Sequence, residues 1–233
     1  MPVGAAATAS GADLRIGAVL LAAGSASRLG YRPKCLLELD GQPLIRRAID
    51  ALRQAGVGDL VVVLGHHRAW IEPVLQGAAV RTVCNPEPDQ GQVSSQRLGL
   101  QALGPRHRAV LVALADQPLV DANDVRALLQ AWAQRPAGTS VVFPRVQGQP
   151  GNPVVFSDDV RQQILRSDAA VGARQWRQAH PEAVWPWDTD NPHYQMDIDT
   201  PQDLARFQDL TGRRLAWPLG VPLGDGPPPA ARA

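Results

Sequence analysis

The sequence predicts an α/β domain with a mostly parallel sheet covered by helices on both faces. Two observations carry this. Short continuous apolar runs, which read as buried strands, alternate along the chain with amphipathic segments of helical period. At 233 residues the chain is also long enough to bury a full core without disulfide or metal staples.

Strands are expected at 16–22, 60–64, 79–84, 109–114, 140–143 and 153–156. Helices are expected at 43–56, 68–76, 92–103, 121–134, 157–166, 170–179 and 201–211. Several starts are marked: Pro43 falls in a first turn, Asp121 or Asn123 suits an N-cap, and Thr200-Pro201 supplies N-cap and first helical residue. The loops near 85–91 and 145–152 are polar, rich in Gly and Pro, and suited to line a mouth. We expect one domain over 14–215. A small-residue tail over 1–13 precedes it, and a Pro/Gly/Ala-rich tail over 216–233 follows.

Composition excludes several classes. A net charge of +1 gives no global field for nucleic acid or an anionic membrane, so any polyanion must bind locally. No apolar run approaches the ~20 residues of a membrane span. The first thirteen residues lack the basic start and apolar core of a signal peptide. Cys35 and Cys84 form no C-x-x-C pair, which fits a reducing cytoplasm.

The chemistry begins where the first strand ends. Leu21-Ala22-Ala23-Gly24-Ser25-Ala26-Ser27-Arg28-Leu29-Gly30, followed by Pro33-Lys34, places small residues and glycines where a backbone can approach phosphates. Arg28 adds a fork matched to phosphate oxygens, and Lys34 a point charge. This loop is neither the dinucleotide G-x-G-x-x-G nor the Walker G-x-x-x-x-G-K-[ST] pattern. Past the strand at 109–114 comes Ala115-Asp116-Gln117-Pro118, with Asp116 at the sheet edge where ligands collect. There it suits Mg²⁺, which takes one or two carboxylates plus phosphate oxygens; a plain turn around Pro118 is the alternative. In Asp197-Ile198-Asp199-Thr200-Pro201, alternation puts both carboxylates on one side and Ile198 on the other. One of Asp197 and Asp199 is expected to hold metal while the other accepts amides at the helix start. Asp203 falls in the first helical turn, where it complements the dipole and carries no chemistry.

The first loop resembles the signature L-A-[AG]-G-x-S-x-R-x-G-x-x-K of the MobA-like nucleotidyltransferases. Asp116-Gln117-Pro118 resembles that family's L-x-D-Q-P, and Asp197–Leu204 its D-I-D-T-P-x-D-L. The three motifs stand in the family's order. The combination of L-A-A-G with D-Q-P and D-I-D-T-P is most similar to the CTP:molybdopterin cytidylyltransferase branch, whereas the guanylyl-transferring branch usually reads L-A-G-G. The resemblance implies a single Rossmann-like three-layer domain of the nucleotide-diphospho-sugar transferase type. It implies transfer of CMP from CTP to the terminal phosphate of molybdopterin, with Mg²⁺ (or Mn²⁺) as cofactor and a molybdenum hydroxylase receiving the product.

On that resemblance the nucleotide is held by Leu21, Ala22, Ala23, Gly24, Ser25, Ser27, Arg28 and Lys34, with Gly65, Gly91 and Ser95 beside it. Arg28, Lys34 and Asp116 carry catalysis, and Asp116, Asp197 and Asp199 carry the metal. The segment Asn85–Leu100 resembles the family's N-x(n)-G-x-x-x-S-[LV]-x-x-G-[LIV], with Gln96 replacing the usual apolar residue; a helix capped by Ser94 with Gly99 in close packing is the alternative. His66 and His67 are expected at the surface. For the acceptor, Gln149–Phe156 resembles G-[NH]-P-[VI]-x-F, so Asn152 contacts the acceptor or forms an Asx-turn. Asp168–Arg174 resembles G-D-x-G-[AV]-R with one residue added, which makes Arg174 an acceptor-anion candidate. Trp185 and Trp187 alternate in an extended segment, as packing rather than pterin stacking. Rival readings are a GTP-dependent or sugar-phosphate nucleotidyltransferase and a non-enzymatic carrier of a finished cofactor. A hydride-transferring dinucleotide enzyme lacks its glycine fingerprint.

Overall fold

A computed structural model describes residues 15–105 and 107–221. The expected tail over 1–13 lies outside these residues, as does the C-terminal segment from 222 onward.

The chain begins with β1 (Ile16–Ala22), a short hairpin of β2 (Glu38–Leu39) and β3 (Gln42–Pro43), and α1 (Leu44–Gln54). Then come β4 (Asp59–Leu64), α2 (Arg68–Val74), β5 (Arg81–Cys84), α3 (Gln92–Ala102), β6 (Ala109–Leu114) and α4 (Ala122–Gln134). The second half holds β7 (Val141–Val146), β8 (Gln149–Pro150), β9 (Val154–Ser157), α5 (Asp158–Arg166) and α6 (Ala173–Ala179). It closes with β10 (Val184–Asp188), α7 (Pro201–Thr211) and β11 (Leu215–Ala216).

The large sheet runs β10-β7-β9-β6-β1-β4-β5, with β8 added to β7. β1 pairs in parallel with β4 and β6, β4 with β5, and β7 with β10. β9 is antiparallel to both β6 and β7. A two-residue turn at Gln147-Gly148, both with positive φ, reverses the chain after β7, and such a short return cannot make a parallel crossover.

Alternation along each strand divides the core. Ala18 and Leu20 of β1, Leu60 and Val62 of β4 and Leu111 of β6 face a layer made by α1, α2 and α4. Val19, Val61, Val63, Val110 and Val112 face the opposite layer, of α3, α5 and α6. Gly99 lets α3 press onto that second face, because a Cβ there would run into the side chains of Val19 and Val63. Asp121 caps α4 through a reciprocal box with Asp124, and Thr200 caps α7 with Asp203, as the sequence predicts.

A third, smaller core lies beside the sheet edge. β11, β2 and β3 form a separate three-stranded sheet, turned at Asp40-Gly41, where both φ values are positive. Leu29, Leu37, Leu39, Leu44, Met196, Ile198, Phe207 and Leu215 pack together there. One small core therefore anchors the loop after β1, the Lys34 turn and the Asp197–Asp199 segment. Composition assigned 216–233 to a tail, and the described part differs: Ala216 pairs with Glu38, and the Arg32 guanidinium lies 4.0 Å over the Trp217 ring. Two anchors, Leu215 in the small core and Trp217 packed against it, outweigh the Pro and Gly around them.

Candidate active site

The carboxyl ends of β1, β4 and β6 border a pocket of about 340 Å³. Its lining includes Leu21, Ala22, Ala23, Gly24, Ser25, Lys34, Gly91, Ser95 and Asp116, all expected from the sequence. Ser27, Arg28, Gly65, Asp197, Asp199, Asn152 and Arg174 do not line it. His66, His67, Asp89 and Gln92 line it without having been assigned a role.

The loop after β1 is shaped by left-handed residues at Ala26 and Gly30, with φ of 52° and 67°. The amides of Leu29 and Tyr31 both donate to the Ala26 carbonyl, at 2.9 and 3.0 Å. Buried Leu29 pins the turn into the small core. Among the described residues, no amide from Gly24 to Ser27 donates within the protein outside regular strands and helices. Such a row of free donors is what phosphate oxygens need. Arg28 stands exposed beside it. Aligned on Gly24, Arg28 and Gly30, the signature's serine falls on Ala26, and Lys34 lies one place later than the pattern puts it.

His67 braces this loop. It is 4% exposed, against the expectation of a surface residue, and its Nε2 lies 2.9 Å from the Ser25 carbonyl oxygen. A carbonyl only accepts, so Nε2 carries the proton. Burial lowers the His67 pKa, which keeps the ring neutral. Next to it, a Cβ on Gly65 would stand 2.6 Å from the Ala23 oxygen, so β4 ends directly on the start of the loop after β1.

Lys34 opens a 3₁₀ turn whose Cys35 and Leu36 are buried. Its Nζ contacts both Asp116 Oδ2 and Asp199 Oδ1. Burial alone would lower the Lys34 pKa; the two carboxylates, Asp116 foremost, more than reverse this and raise it. The ammonium therefore stays charged. Burial, helped by Asp116, pushes the Cys35 thiol up to about 12, which leaves it inert as a nucleophile.

The Ile198 amide donates to the Asp116 carbonyl at 3.1 Å, laying the 197–199 segment along the end of β6. Ile198 is fully buried in the small core, as alternation requires. The two aspartates then differ. Asp199 is engaged by Lys34, while burial and the nearby Asp116 push Asp197 up to about 6. The amides at the start of α7 go to Asp203, whose carboxylate accepts from the amides of Asp199 and Thr200. That correction removes the expected division of labour between Asp197 and Asp199.

Among the described residues, no group of three His, Cys, Asp or Glu side chains is gathered as a metal site. Asp116 Oδ1 and Asp197 Oδ1 are nevertheless both buried without a hydrogen-bond partner. One such oxygen lies on the pocket wall and the other on neighbouring Asp197, and the pair fits Mg²⁺ or Mn²⁺, which takes one or two carboxylates and fills the rest of its shell from substrate and water.

The opposite wall is fixed by Asn85. Its Nδ2 donates to the hydroxyls of Ser94 and Ser95, each at 2.9 Å, and its Oδ1 accepts from the Glu87 amide. Gly91, not Ser94, occupies the N-cap of α3, and Ser94 donates instead to the Gly91 carbonyl. Gln96, the departure from the family pattern, accepts from the Ala173 amide at 2.8 Å and so holds the start of α6. Arg97 was missed from sequence. It donates to the carbonyls of Ile164, Leu165, Ser167, Asp168 and Val171, clamping the loop between α5 and α6. Arg174 follows that loop, exposed. The Asn152 side chain makes no hydrogen bond among the described residues, while its amide donates to the Tyr194 carbonyl. Trp185 and Trp187 pack against the main core, and Trp187 meets Tyr194 edge to face at 5.9 Å.

Among the described residues, no helix is long and apolar enough to cross a membrane. Comparison with known proteins agrees with the geometry. The chain is 32% identical over 202 residues to nicotine blue oxidoreductase of Paenarthrobacter nicotinovorans, covering 81% of this chain and 94% of the relative. It is 28% identical to the bifunctional protein GlmU of Syntrophomonas wolfei over 146 residues, but spans only 32% of that protein. Its fold is similar to that of a nucleotidyl transferase from Methanothermobacter, with a TM-score of 0.68 and 27% identity over 84% of this chain and 97% of the other. Rv0371c of Mycobacterium tuberculosis gives a TM-score of 0.69 at 26% identity, over 84% of this chain and 98% of that one. A structure of Rv0371c in complex with manganese gives 0.62 at 25% identity over the same shares. Residues 18–184, which hold the loop after β1, Lys34 and Asp116, match the MobA-like NTP transferase domain, and the chain belongs to that nucleotidyltransferase family.

Proposed function

We propose that this nucleotidyltransferase moves CMP from CTP onto the terminal phosphate of molybdopterin and releases pyrophosphate. The observation that carries the reading is the meeting of Lys34, Asp116 and the unpartnered amides of Gly24 and Ser25 at one pocket. The order of motifs and the L-A-A-G form of the loop favour the cytidylyl branch over the guanylyl one.

In this reading the loop amides receive the β- and γ-phosphates, and Arg28 closes over them from the solvent side. Lys34 stays protonated and lies against the charge that develops as pyrophosphate leaves. Asp116 and Asp197 would hold a divalent cation, which would supply positive charge to offset that of the reacting phosphates. Asp199, bound to Lys34, orients the ammonium. A phosphate nucleophile is ionised at neutral pH, so no general base is required; the inert Cys35 and the neutral, committed His67 accord with this. Positioning and charge stabilisation do the rest.

Pyrophosphate release with Mg²⁺ and molybdopterin, compared across CTP, GTP, ATP and UTP, tests the proposal. Release confined to CTP and abolished by Asp116→Ala supports it. Release with GTP moves the protein to the guanylyl branch, and tight product binding without turnover makes it a carrier. Similarity to an oxidoreductase gives a second reading. Oxidation of NADH or NADPH by the protein with an added dye as the electron acceptor, and no pyrophosphate release, would favour that reading.

A further inference from the structure

We infer that Asp89, held by His66 at the pocket wall, selects a nucleobase carrying an exocyclic amine over one carrying a carbonyl at the same place. The inference deepens the nucleotidyl-transfer reading and rests on it.

The pocket is electrostatically polar. Lys34 and the free loop amides mark one end as the place for phosphates. His66, Pro88, Asp89, Gly91, Gln92 and Ser95 line the pocket from the loops after β4 and β5 and the start of α3, on the side of β1 away from β6. A carboxylate there repels phosphate, so a triphosphate enters with its base toward Asp89.

Asp89 is placed by the fold rather than left to swing. It sits in the 3₁₀ turn Pro88–Gln90, and buried Asn85 ties the start of that segment to α3 through the Glu87 amide and the Ser94 and Ser95 hydroxyls. Across the mouth, His66 Nε2 lies 3.1 Å from Asp89 Oδ1. His66 itself follows Gly65, which is seated on the Ala23 carbonyl. The Asp89 side chain is 90% exposed, so Oδ2 remains open to a ligand.

An ionised carboxylate accepts hydrogen bonds and donates none. At the position where cytosine presents its 4-amine, uracil presents a carbonyl oxygen that the carboxylate repels. His66 acts as a positioning residue, turning Oδ2 toward the base by holding Oδ1.

Equilibrium binding of CTP and UTP with Mg²⁺, without any acceptor and with ATP and GTP as controls for triphosphate binding as such, tests this in wild type, Asp89→Ala, Asp89→Asn and His66→Ala. Wild type should favour CTP over UTP. Asp89→Ala should reduce this preference by about tenfold, within the range a base-edge contact contributes. Asp89→Asn, which can donate to a carbonyl, should improve UTP binding, and His66→Ala should lower the CTP:UTP ratio less than Asp89→Ala does. A merely structural role would weaken CTP and UTP together and leave their ratio intact, which overturns the inference. Preference for UTP in wild type overturns it as well. Failure to bind any triphosphate overturns the nucleotidyl-transfer reading along with it, whereas an incorrect acceptor leaves this measurement untouched.

Discussion

Replacing Lys34 by methionine keeps most of the side chain's volume and removes only the charge. In the native protein Nζ contacts Asp116 and Asp199, whose side chains are 13% and 51% exposed. Asp199 can turn to water when the ammonium goes, but Asp116 cannot. Its Oδ1 already lacks a partner, so the variant strands the whole carboxylate beside Asp197. Leaving one mostly buried carboxylate unpaired costs about 2–3 kcal/mol. For a chain of this size that lowers the melting temperature by roughly 4–12 °C. Divalent cations should recover part of this loss, because a cation between the carboxylates replaces the missing charge. Loss of the ammonium should also slow pyrophosphate release by on the order of 10²- to 10³-fold, mostly in kcat. Melting curves with and without Mg²⁺ and steady-state release on the same preparation give both numbers. A variant that melts with wild type and turns over within about threefold of it would refute the placement of Lys34 at the reacting centre.

Three further outcomes follow from the same geometry. Gly65→Ala puts a Cβ 2.6 Å from the Ala23 backbone oxygen, so the loop after β1 must shift; overpacking of this kind costs about 1–3 kcal/mol, and KM for the triphosphate should rise more than kcat falls. Asp197→Asn should abolish metal-dependent transfer yet stabilise the metal-free protein at neutral pH. Asp197 has its pKa raised to about 6, chiefly by burial, so its ionised form is disfavoured in the fold above that pH. The gain in melting temperature should shrink as pH falls through about 6 and vanish near the ordinary carboxylate range, around 4, where the native aspartate is already protonated; a gain that grows toward acid contradicts this. Arg97→Ala removes donors from five carbonyl oxygens around the α5–α6 loop. Hydrogen exchange should accelerate in residues 165–172 well before the rest of the sheet, and uniform acceleration would show that Arg97 is no local clamp.

Most strands of the central sheet were legible as apolar runs, the pattern imposed by burial on both faces, whereas β8 and β10 were not expected because Gln149-Pro150 is short and exposed and Val184–Asp188 is broken by Pro186. The place of the loop after β1 and of Asp116 on the pocket wall was legible because both directly follow such strands, at the sheet edge where pockets form. Asp40-Gly41 was an available hairpin signal that short flanking strands obscured, since β2 and β3 have two residues each. Arg97 gave no local signal at all, because its partners lie 67–74 residues away.

The sequence by itself determined the doubly covered sheet, the capped helices and the small and charged residues at the edge of β1 and β6, since these follow from local periodicity and from residue type. Tertiary structure alone decided that Lys34 joins Asp116 to Asp199, that His67 turns inward to hold Ser25, and that Asp89 meets His66 at the pocket wall. Those contacts join segments brought together only when three separate cores pack, and the energy of a charged group depends on such neighbours and on its exclusion from water.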